Sequence, residues 1–487
     1  MAEKFIIRLA EPRDIKNVFD LSNDDTVRLV SMNPEKIKWD NHVKWFNEIL
    51  NTSNAFFYVA ETDERDFIGQ VRFVKNAQDW VVSISLVKKH RHKNLGKRIL
   101  EKAMKMSGLK SFKAYVKTDN LSSQKLFFSL GYKINQKETE INKNGSFLAL
   151  QYNSVFIIAE MSANHCGDKT LAKEIIKAAK KIGADAVKIQ TYTADTITLN
   201  CHNPEFKVSG TKLWNDKYLY DLYQEASTPW EWQSELKAYA DEIGIPLFST
   251  PFDFTAVDFL ETLNVPMYKI ASFEAFDYPL IKYAAKCGKP MIISTGVSSL
   301  EEIQEAVNAC QSVGNNDITL LKCTSAYPAE PKDMNLLTIK DMIERFSPQG
   351  VKVGLSDHSM SLVPPVTAVA LGATVIEKHF TLDRSLGGAD SGFSLNTEEF
   401  ALMVKAVREA ELALGNVDYT INEQNRKFAR SLYVTKKIKK GEAFTPDNVR
   451  SIRPSNGLPP KYYEEILGKT ATCDLDFGTP LKWNDVK

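Results

Sequence analysis

The chain has 487 residues, room for about two to four domains of ordinary size. Its 62 basic and 61 acidic residues leave a formal charge of +1, so no overall field draws it to nucleic acid or to an acidic membrane. An apolar share of 43% with 25% charged residues excludes disordered, collagen-like and coiled-coil chains.

The opening residues, MAEKFIIRLAEPRD, hold a short apolar patch followed by charges and no signal-type apolar run. Residues 5–9 read as a strand and 13–20 as a helix with an acidic first turn. Residues 56–61 and 67–73 read as successive strands, and 80–87 alternates as a half-buried strand does. A basic turn leads to a helix over 95–106, a strand over 113–116 and a helix over 122–130 closed by Gly131. A polar stretch at 142–144, ending in Gly145, precedes a last strand at 147–152. Residues 1–152 contain no cysteine and are expected to form a separate unit.

Beyond Ser154 the pattern changes to apolar runs alternating with longer helices. The runs fall at 155–159, 186–189, 246–248, 267–271, 291–293, 318–321, 351–355 and 374–376. Continuous apolar strands between helices imply a parallel sheet covered on both faces. Eight such units predict a (β/α)8 barrel over 153–418. A doubly wound sheet is the alternative, but no Gly-rich turn follows the first strand. After Gly415 the polar stretch NVDYTINEQNRK reads as a linker, and 427–487 as a small, mostly β module. Overall the fold class is α/β. The six cysteines (Cys166, Cys201, Cys287, Cys310, Cys323, Cys473) form no CxxC pair, which fits a reducing compartment. No run approaches the roughly 18–20 apolar residues of a membrane helix. A cytoplasmic setting is expected.

Barrel active sites lie at the C-terminal ends of the strands. The strand ends here carry Glu160, Asn164 and His165; Lys188 and Gln190; Ser249, Thr250 and Asp253; Lys269 and Ser272; Ser294, Thr295 and Gly296. The last three add Lys322, Thr324, Ser325 and Tyr327; Ser356, Asp357 and His358; and Glu377, Lys378 and His379. A lone strand lysine ordinarily snorkels to solvent, and a lone histidine is ordinarily a satisfied core residue. Three lysines with hydroxyls nearby make an anion pocket. His358 and His379 end neighbouring strands, so their imidazoles can converge on one cation. With two protein ligands, a Mn2+- or Mg2+-like ion completed by water and substrate oxygens fits better than zinc.

At these residues a resemblance becomes specific. FIIAEMSANHCG, GADAVKIQTY, PLFSTPFD, YKIASFE, ISTG, KCTSAYP, GLSDHS and IEKHFTLDR occur in the order found in the sialic acid synthase family. The resemblance covers about 155–487, including the tail, which looks like that family's antifreeze-like (SAF) domain. It implies condensation of phosphoenolpyruvate with an N-acylated amino sugar, releasing phosphate. LGGADSGFSL resembles the pseudaminic acid synthases, and Ser325 stands where neuraminate enzymes carry Asn. Both imply a diacetamido-tetradeoxy, altrose-type acceptor and pseudaminic acid as product. By motif, Lys188, Lys269, Thr250, Ser272, Ser294 and Ser356 resemble the phosphoenolpyruvate-binding set, and Gln190 counts among the substrate-binding residues without a fixed side. His358 and His379 resemble metal ligands, and Glu160 the acid beside the reacting carbons. Ser325, Tyr327 and Asp390 resemble sugar contacts. Arg453, in IRPSNG, resembles the tail arginine that reaches a partner subunit's site, which implies a domain-swapped homodimer; Ser455 replaces the family's usual Gly.

The stretch VVSISLVKKHRHKNLGKRIL joins a strand, a basic turn and a helix start, and helix N-termini bind phosphates. It resembles the acetyl-CoA loop of GNAT acetyltransferases over about 5–150. That resemblance implies cofactor contacts at Val87, Arg91, Asn94, Leu95, Gly96, Lys97 and Asn120. Asn94 replaces the family's first Gly, and Phe127 stands where a general-acid Tyr is frequent. The implied activity is N-acetylation of a UDP-linked amino sugar. The competing assignment is a neuraminate or legionaminate synthase whose GNAT unit only binds or regulates.

Overall fold

In the first domain apolar residues alternate along successive strands, and the chain builds a seven-stranded sheet from them. Its strands are β1 (Ile6–Leu9), β2 (Ala55–Glu61), β3 (Phe67–Asn76), β4 (Asp79–Leu86), β5 (Ser111–Lys117), β6 (Lys133–Ile134) and β7 (Phe147–Asn153). Their spatial order is β1-β2-β3-β4-β5-β7-β6. All neighbours are antiparallel except β4 and β5, which run parallel and pair only at Val81 and Lys113. The two strands therefore splay apart beyond that point. The helix Trp39–Leu50, not expected from sequence, packs Phe46 and Ile49 against Val18 and Phe57 in a small core of its own. The computed structural model describes all residues except 1–3, 77–78, 92–94, 110, 131, 135–146, 209–213, 416–418, 420 and 422. The Gly131 helix stop and the 142–145 turn lie outside the described residues.

Two residues, Ser154 and Val155, lead from β7 into β8. The junction is held from the far end of the barrel. Arg408 donates to Ser154 Oγ at 2.8 Å, Val155 O at 2.7 Å and Asp185 Oδ2 at 2.8 Å, while Glu411 accepts from the Val155 amide.

Eight parallel strands then close into a barrel. They are β8 (Phe156–Glu160), β9 (Ala186–Thr191), β10 (Leu247–Pro251), β11 (Tyr268–Ile270), β12 (Met291–Ser294), β13 (Ile318–Cys323), β14 (Lys352–Asp357) and β15 (Val375–His379). Each coincides with one of the expected apolar runs. β15 pairs with β8, placing His379 beside Glu160, and β8 with β9, placing Glu160 beside Lys188. The enclosing helices start on side-chain caps, as at Asp168, Asp253 and Ser299. Asp253, a strand-end candidate, thus caps the helix Phe254–Thr262.

The chain divides into two units, Met1–Asn416 and Val417–Lys487. The second unit pairs β16 (Ser431–Val434) with β17 (Val449–Ile452) in antiparallel register over a core that includes Leu432, Phe444, Val449 and Leu481. In its IRPSNG turn the close approach falls at Gly457, where an added Cβ would lie 2.3 Å from the Leu432 carbonyl oxygen. Ser455 is accommodated, its amide donating to the Lys427 carbonyl at 3.2 Å.

Candidate functional site

Strand alternation decides which side chains meet at the barrel mouth. Lys188 and Gln190 share one face of β9, as do Glu377 and His379 on β15, and His358 follows just beyond the end of β14, two residues on from Ser356. Lys188 pairs with Glu160, donates to Thr250 Oγ1 at 3.1 Å and lies 3.9 Å from Glu377. Lys269 donates to Glu377 Oε1 at 2.8 Å, and Ser356 Oγ donates to the same oxygen at 3.0 Å. All of these groups are buried. Gln190 is half-buried beside Thr250 in the β9–β10 register.

This four-charge cluster splits its carboxylates. Burial pushes Glu160 up, and nearby Glu377 adds to the rise against the pull of Lys188. Burial would also raise Glu377, but Lys188, Lys269 and the hydrogen bonds from Lys269 and Ser356 outweigh it and hold that carboxyl down. Among the lysines, burial lowers Lys269 below its ordinary value, while Glu160 and Glu377 more than offset burial at Lys188. Such paired titratable groups pushed apart are the raw material of acid–base chemistry.

The imidazoles of His358 and His379 lie with ring centroids 5.3 Å apart. His358 Nδ1 faces the Thr324 carbonyl at 3.1 Å, which leaves Nε2 for a ligand. Burial, reinforced by His358 and the lysines, keeps His379 neutral, and its buried Nδ1 has no hydrogen-bond partner. Ser294 Oγ and Glu160 Oε1 are likewise buried without a partner. No group of three or more protein ligands for a metal occurs among the described residues. Two convergent imidazoles with orphaned neighbours fit an octahedral ion that keeps water and substrate oxygens.

Aromatic rings wall this centre. Tyr327 lies 4.5 Å from His358 and 5.1 Å from Phe393 between centroids, and Phe393 lies 4.7 Å from His379. Trp214 packs at 5.7 Å from Tyr327 and donates its indole N–H to the Ala389 carbonyl. Asp390 approaches His379 Nδ1 to 3.9 Å; burial raises its carboxyl above the ordinary range, only partly offset by hydrogen bonds from Ser162 and the Ala163 amide. Ser272, Ser325 and Cys323 crowd around Gly296, where an added Cβ would lie 2.2 Å from Ser325 Oγ and 2.9 Å from Ser272 Oγ. Burial would raise the Cys323 thiol, but His358, 3.8 Å away, brings it down to about 7.

The expected anion pocket therefore rests on two lysines. Lys322 donates to the Cys323 carbonyl and Thr324 Oγ1, and Lys378 points through the opposite face of β15 to Asp357, Ser359 and Ser361. Lys378 and Asp357 are both fully enclosed. Removing one partner of such a pair costs about 3–5 kcal/mol. Asp357→Ala is expected to lower unfolding stability on that scale in urea titrations, with phosphoenolpyruvate affinity unchanged. His165 and Asn164 are structural as well: His165 bridges Thr228 Oγ1 and the Gly167 amide, and Asn164 holds Phe380 O and Ser394 Oγ. Arg453 belongs to the other unit, where it follows β17 and is exposed.

In the first domain, Arg91, Leu95, Gly96, Lys97 and Asn120 line one cavity of about 540 Å³ at the start of the helix Leu95–Ser107. Arg91 already bonds Leu86 O at 2.8 Å and Thr26 Oγ1 at 2.7 Å, and Asn120 caps the helix Leu121–Phe128. Val87 is not on that wall; its amide donates to the Ile68 carbonyl. Asn94 lies outside the described residues.

In the sequence Glu377 stands at a strand end without a legible role, and nothing there marks out Phe393 or Trp214. Alternation from His379 would have turned Glu377 inward; the two aromatics carry no comparable signal.

A barrel mouth with paired lysines, carboxylates and imidazoles defines a sialic-acid-type synthase, and known proteins bear this out. The NeuB family profile matches residues 175–419, a SAF domain 429–487, and an acetyltransferase (GNAT) domain 4–133. The chain is 51% identical over 336 residues to the pseudaminic acid synthase of Campylobacter jejuni serotype O:23/36, covering 68% of this chain and 97% of that protein. It is 34% identical over 362 residues to the N,N'-diacetyllegionaminic acid synthase of Legionella pneumophila, covering 72% and 99%. The crystal structure of the N-acetylneuraminic acid synthetase of Leptospira borgpetersenii is similar with a TM-score of 0.50 at 31% identity, covering 57% of this chain and 91% of that one. The chain belongs to the NeuB family. Among the described residues no helix is long and apolar enough to cross a membrane.

Proposed function

We propose that the barrel condenses phosphoenolpyruvate with a diacetamido-tetradeoxy, altrose-type sugar to give pseudaminic acid and phosphate. The observation that carries this reading is the convergence of Lys188 and Lys269 with Glu160, Glu377 and two imidazoles in one buried mouth. Lys188 and Lys269, with Thr250, Ser272, Ser294 and Ser356, hold the phosphate and carboxylate of phosphoenolpyruvate. Gln190 lies on the same face as Lys188. Tyr327, Ser325 and Asp390 orient the sugar. His358 and His379 hold a divalent ion, which when bound supplies Lewis-acid polarisation of the open-chain aldehyde. C3 of phosphoenolpyruvate bonds to the aldehyde carbon, leaving a cationic C2. Glu160, raised by burial, positions the water that adds to C2 and takes its proton. Phosphate then leaves with C–O cleavage while the lysines keep hold of its charge.

The test is phosphate release with a panel of N-acylated sugars. The altrose-type sugar is expected to be turned over fastest; equal or faster release with N-acetylmannosamine overturns the assignment. The first domain, residues 1–152, acetylates a UDP-linked amino sugar from acetyl-CoA held along Arg91, Asn94, Leu95, Gly96, Lys97 and Asn120. Barrel and tail span 153–418 and 427–487.

The tail's Arg453 serves the barrel of a second chain in a homodimer, where its planar, permanently charged fork grips the N-acyl carbonyl. Arg453→Ala should then impair sugar use more than phosphoenolpyruvate binding. Mixing Arg453→Ala with His358→Ala chains under subunit exchange restores part of the activity, since one site per heterodimer regains both groups. Absence of recovery with both parents folded sinks the shared site.

A further inference from the structure

Arg28 and Arg72 of the first domain are cations without a counter-charge. The Arg72 guanidinium, carried on β3, lies 4.9 Å over the ring of Trp45. Arg28 donates to the Glu35 carbonyl and to Ser31 Oγ at 2.9 Å each, and its buried Nε has no partner. Neither makes an ion pair with a carboxylate among the described residues. Both line a cavity of about 260 Å³ whose wall bears no carboxylate, and both also line the adjoining cleft of about 1240 Å³, where the acid is the exposed Glu48. Two guanidiniums left facing one cavity are costly unless something anionic enters it. Burial lowers both groups, and at Arg72 the charge of Arg28 adds to the effect.

Two further groups on the small cavity's wall are unsatisfied. His42 Nε2 faces the Ile15 carbonyl at 3.0 Å, so its proton sits there, and the buried Nδ1 is left as an acceptor without a donor. Gln70 Oε1 is buried in the same condition. Val27 and Ser85 line this cavity, the large cleft and the groove at the start of the helix Leu95–Ser107, so the three spaces are contiguous.

We propose that Arg28 and Arg72 form the diphosphate subsite of the acetyl acceptor, a nucleotide-linked amine. Two forks call for about two negative charges on adjacent oxygens, which a diphosphate supplies and a single carboxylate does not. Ligand hydroxyls satisfy His42 and Gln70, and the large cleft has room for the remainder. The acceptor nitrogen bonds to the acetyl carbonyl carbon, the thioester C–S bond breaks, and the amine's proton leaves with coenzyme A as the thiol. This subsite rests on the acetyltransferase reading of the domain, and the experiment separates the two.

Calorimetry on the full chain measures acetyl-CoA, UDP and uridine binding in turn. Wild type is expected to bind acetyl-CoA, and UDP at least tenfold more tightly than uridine, as charge-assisted contacts of about 1.5–3 kcal/mol require. Arg28→Gln and Arg72→Lys, the second keeping the charge but losing the fork, should each weaken UDP by about tenfold or more while acetyl-CoA affinity is retained. Retained acetyl-CoA binding also certifies that the variants are folded. Acetyl-CoA binding without UDP binding overturns the subsite, as does uridine matching UDP or UDP affinity unmoved in both variants. Failure to bind acetyl-CoA overturns the acetyltransferase reading instead.

Discussion

His379→Ala is expected to abolish the proposed condensation while the protein still folds. The ring is one of two imidazoles that face each other across the barrel mouth, and its Nδ1 has no hydrogen bond to lose. Loss of a neutral ring leaves no buried charge behind, so the structural cost is a cavity among Phe393 and His358, about 2–5 kcal/mol by analogy with other large-to-small changes. The chemical cost is far larger. One protein ligand remains for an ion that two were to hold, and aldehyde polarisation goes with it. Direct titration with Mn2+ should show weakened binding in the variant, and phosphate release should fall to background. Full activity of wild type after metal stripping, with chelator in excess, would refute the role of both histidines.

Lys269→Met is expected to raise the apparent phosphoenolpyruvate KM by about tenfold or more, since a charge-assisted contact is worth about 1.5–3 kcal/mol. The structure adds a second effect. Lys269 is what Glu377 Oε1 pairs with, so the substitution leaves a buried carboxylate half-compensated by Ser356 and the more distant Lys188. Stability should fall by about 3–5 kcal/mol, the usual consequence of breaking a buried ion pair. The double variant Lys269→Met/Glu377→Gln separates the two effects. It should regain stability, because no charge is stranded, without regaining affinity. A single variant with unchanged KM would place Lys269 outside the substrate pocket.

The eight barrel strands were legible because strands buried on both faces become continuous apolar runs, and each run was bounded by turns or helices. The charges at their ends were legible as a group, but not their directions. Lys378 and Glu377 are neighbours in sequence; alternation sends one outward to Asp357 and the other inward to Lys269. Reading the strand ends as a string rather than as two faces made the lysines look equivalent. The first domain's arginine pair was hidden for a different reason. Arg28 sits in a short helix and Arg72 on β3, and only folding brings them to one cavity. The helix Trp39–Leu50 carries a legible stripe, with Trp39, Val43, Phe46 and Leu50 at three- and four-residue spacing, and packing beneath β2 buries Phe46 and Ile49 of that face.

The barrel closes where its last strand, β15, meets its first, β8. That joint sets His379 against Glu160, and Glu377 reaches across the same region to Lys188. During synthesis β8 leaves the ribosome long before β15, directly behind a domain whose sheet has just received its final strand. Until the last strand arrives, β8 lacks one neighbour, and Glu377 and His379 are missing from the mouth. On the proposed mechanism, no nascent or partly unravelled barrel can therefore hold phosphoenolpyruvate and the aldehyde together, and detaching β15 is expected to end turnover before the rest of the ring comes apart.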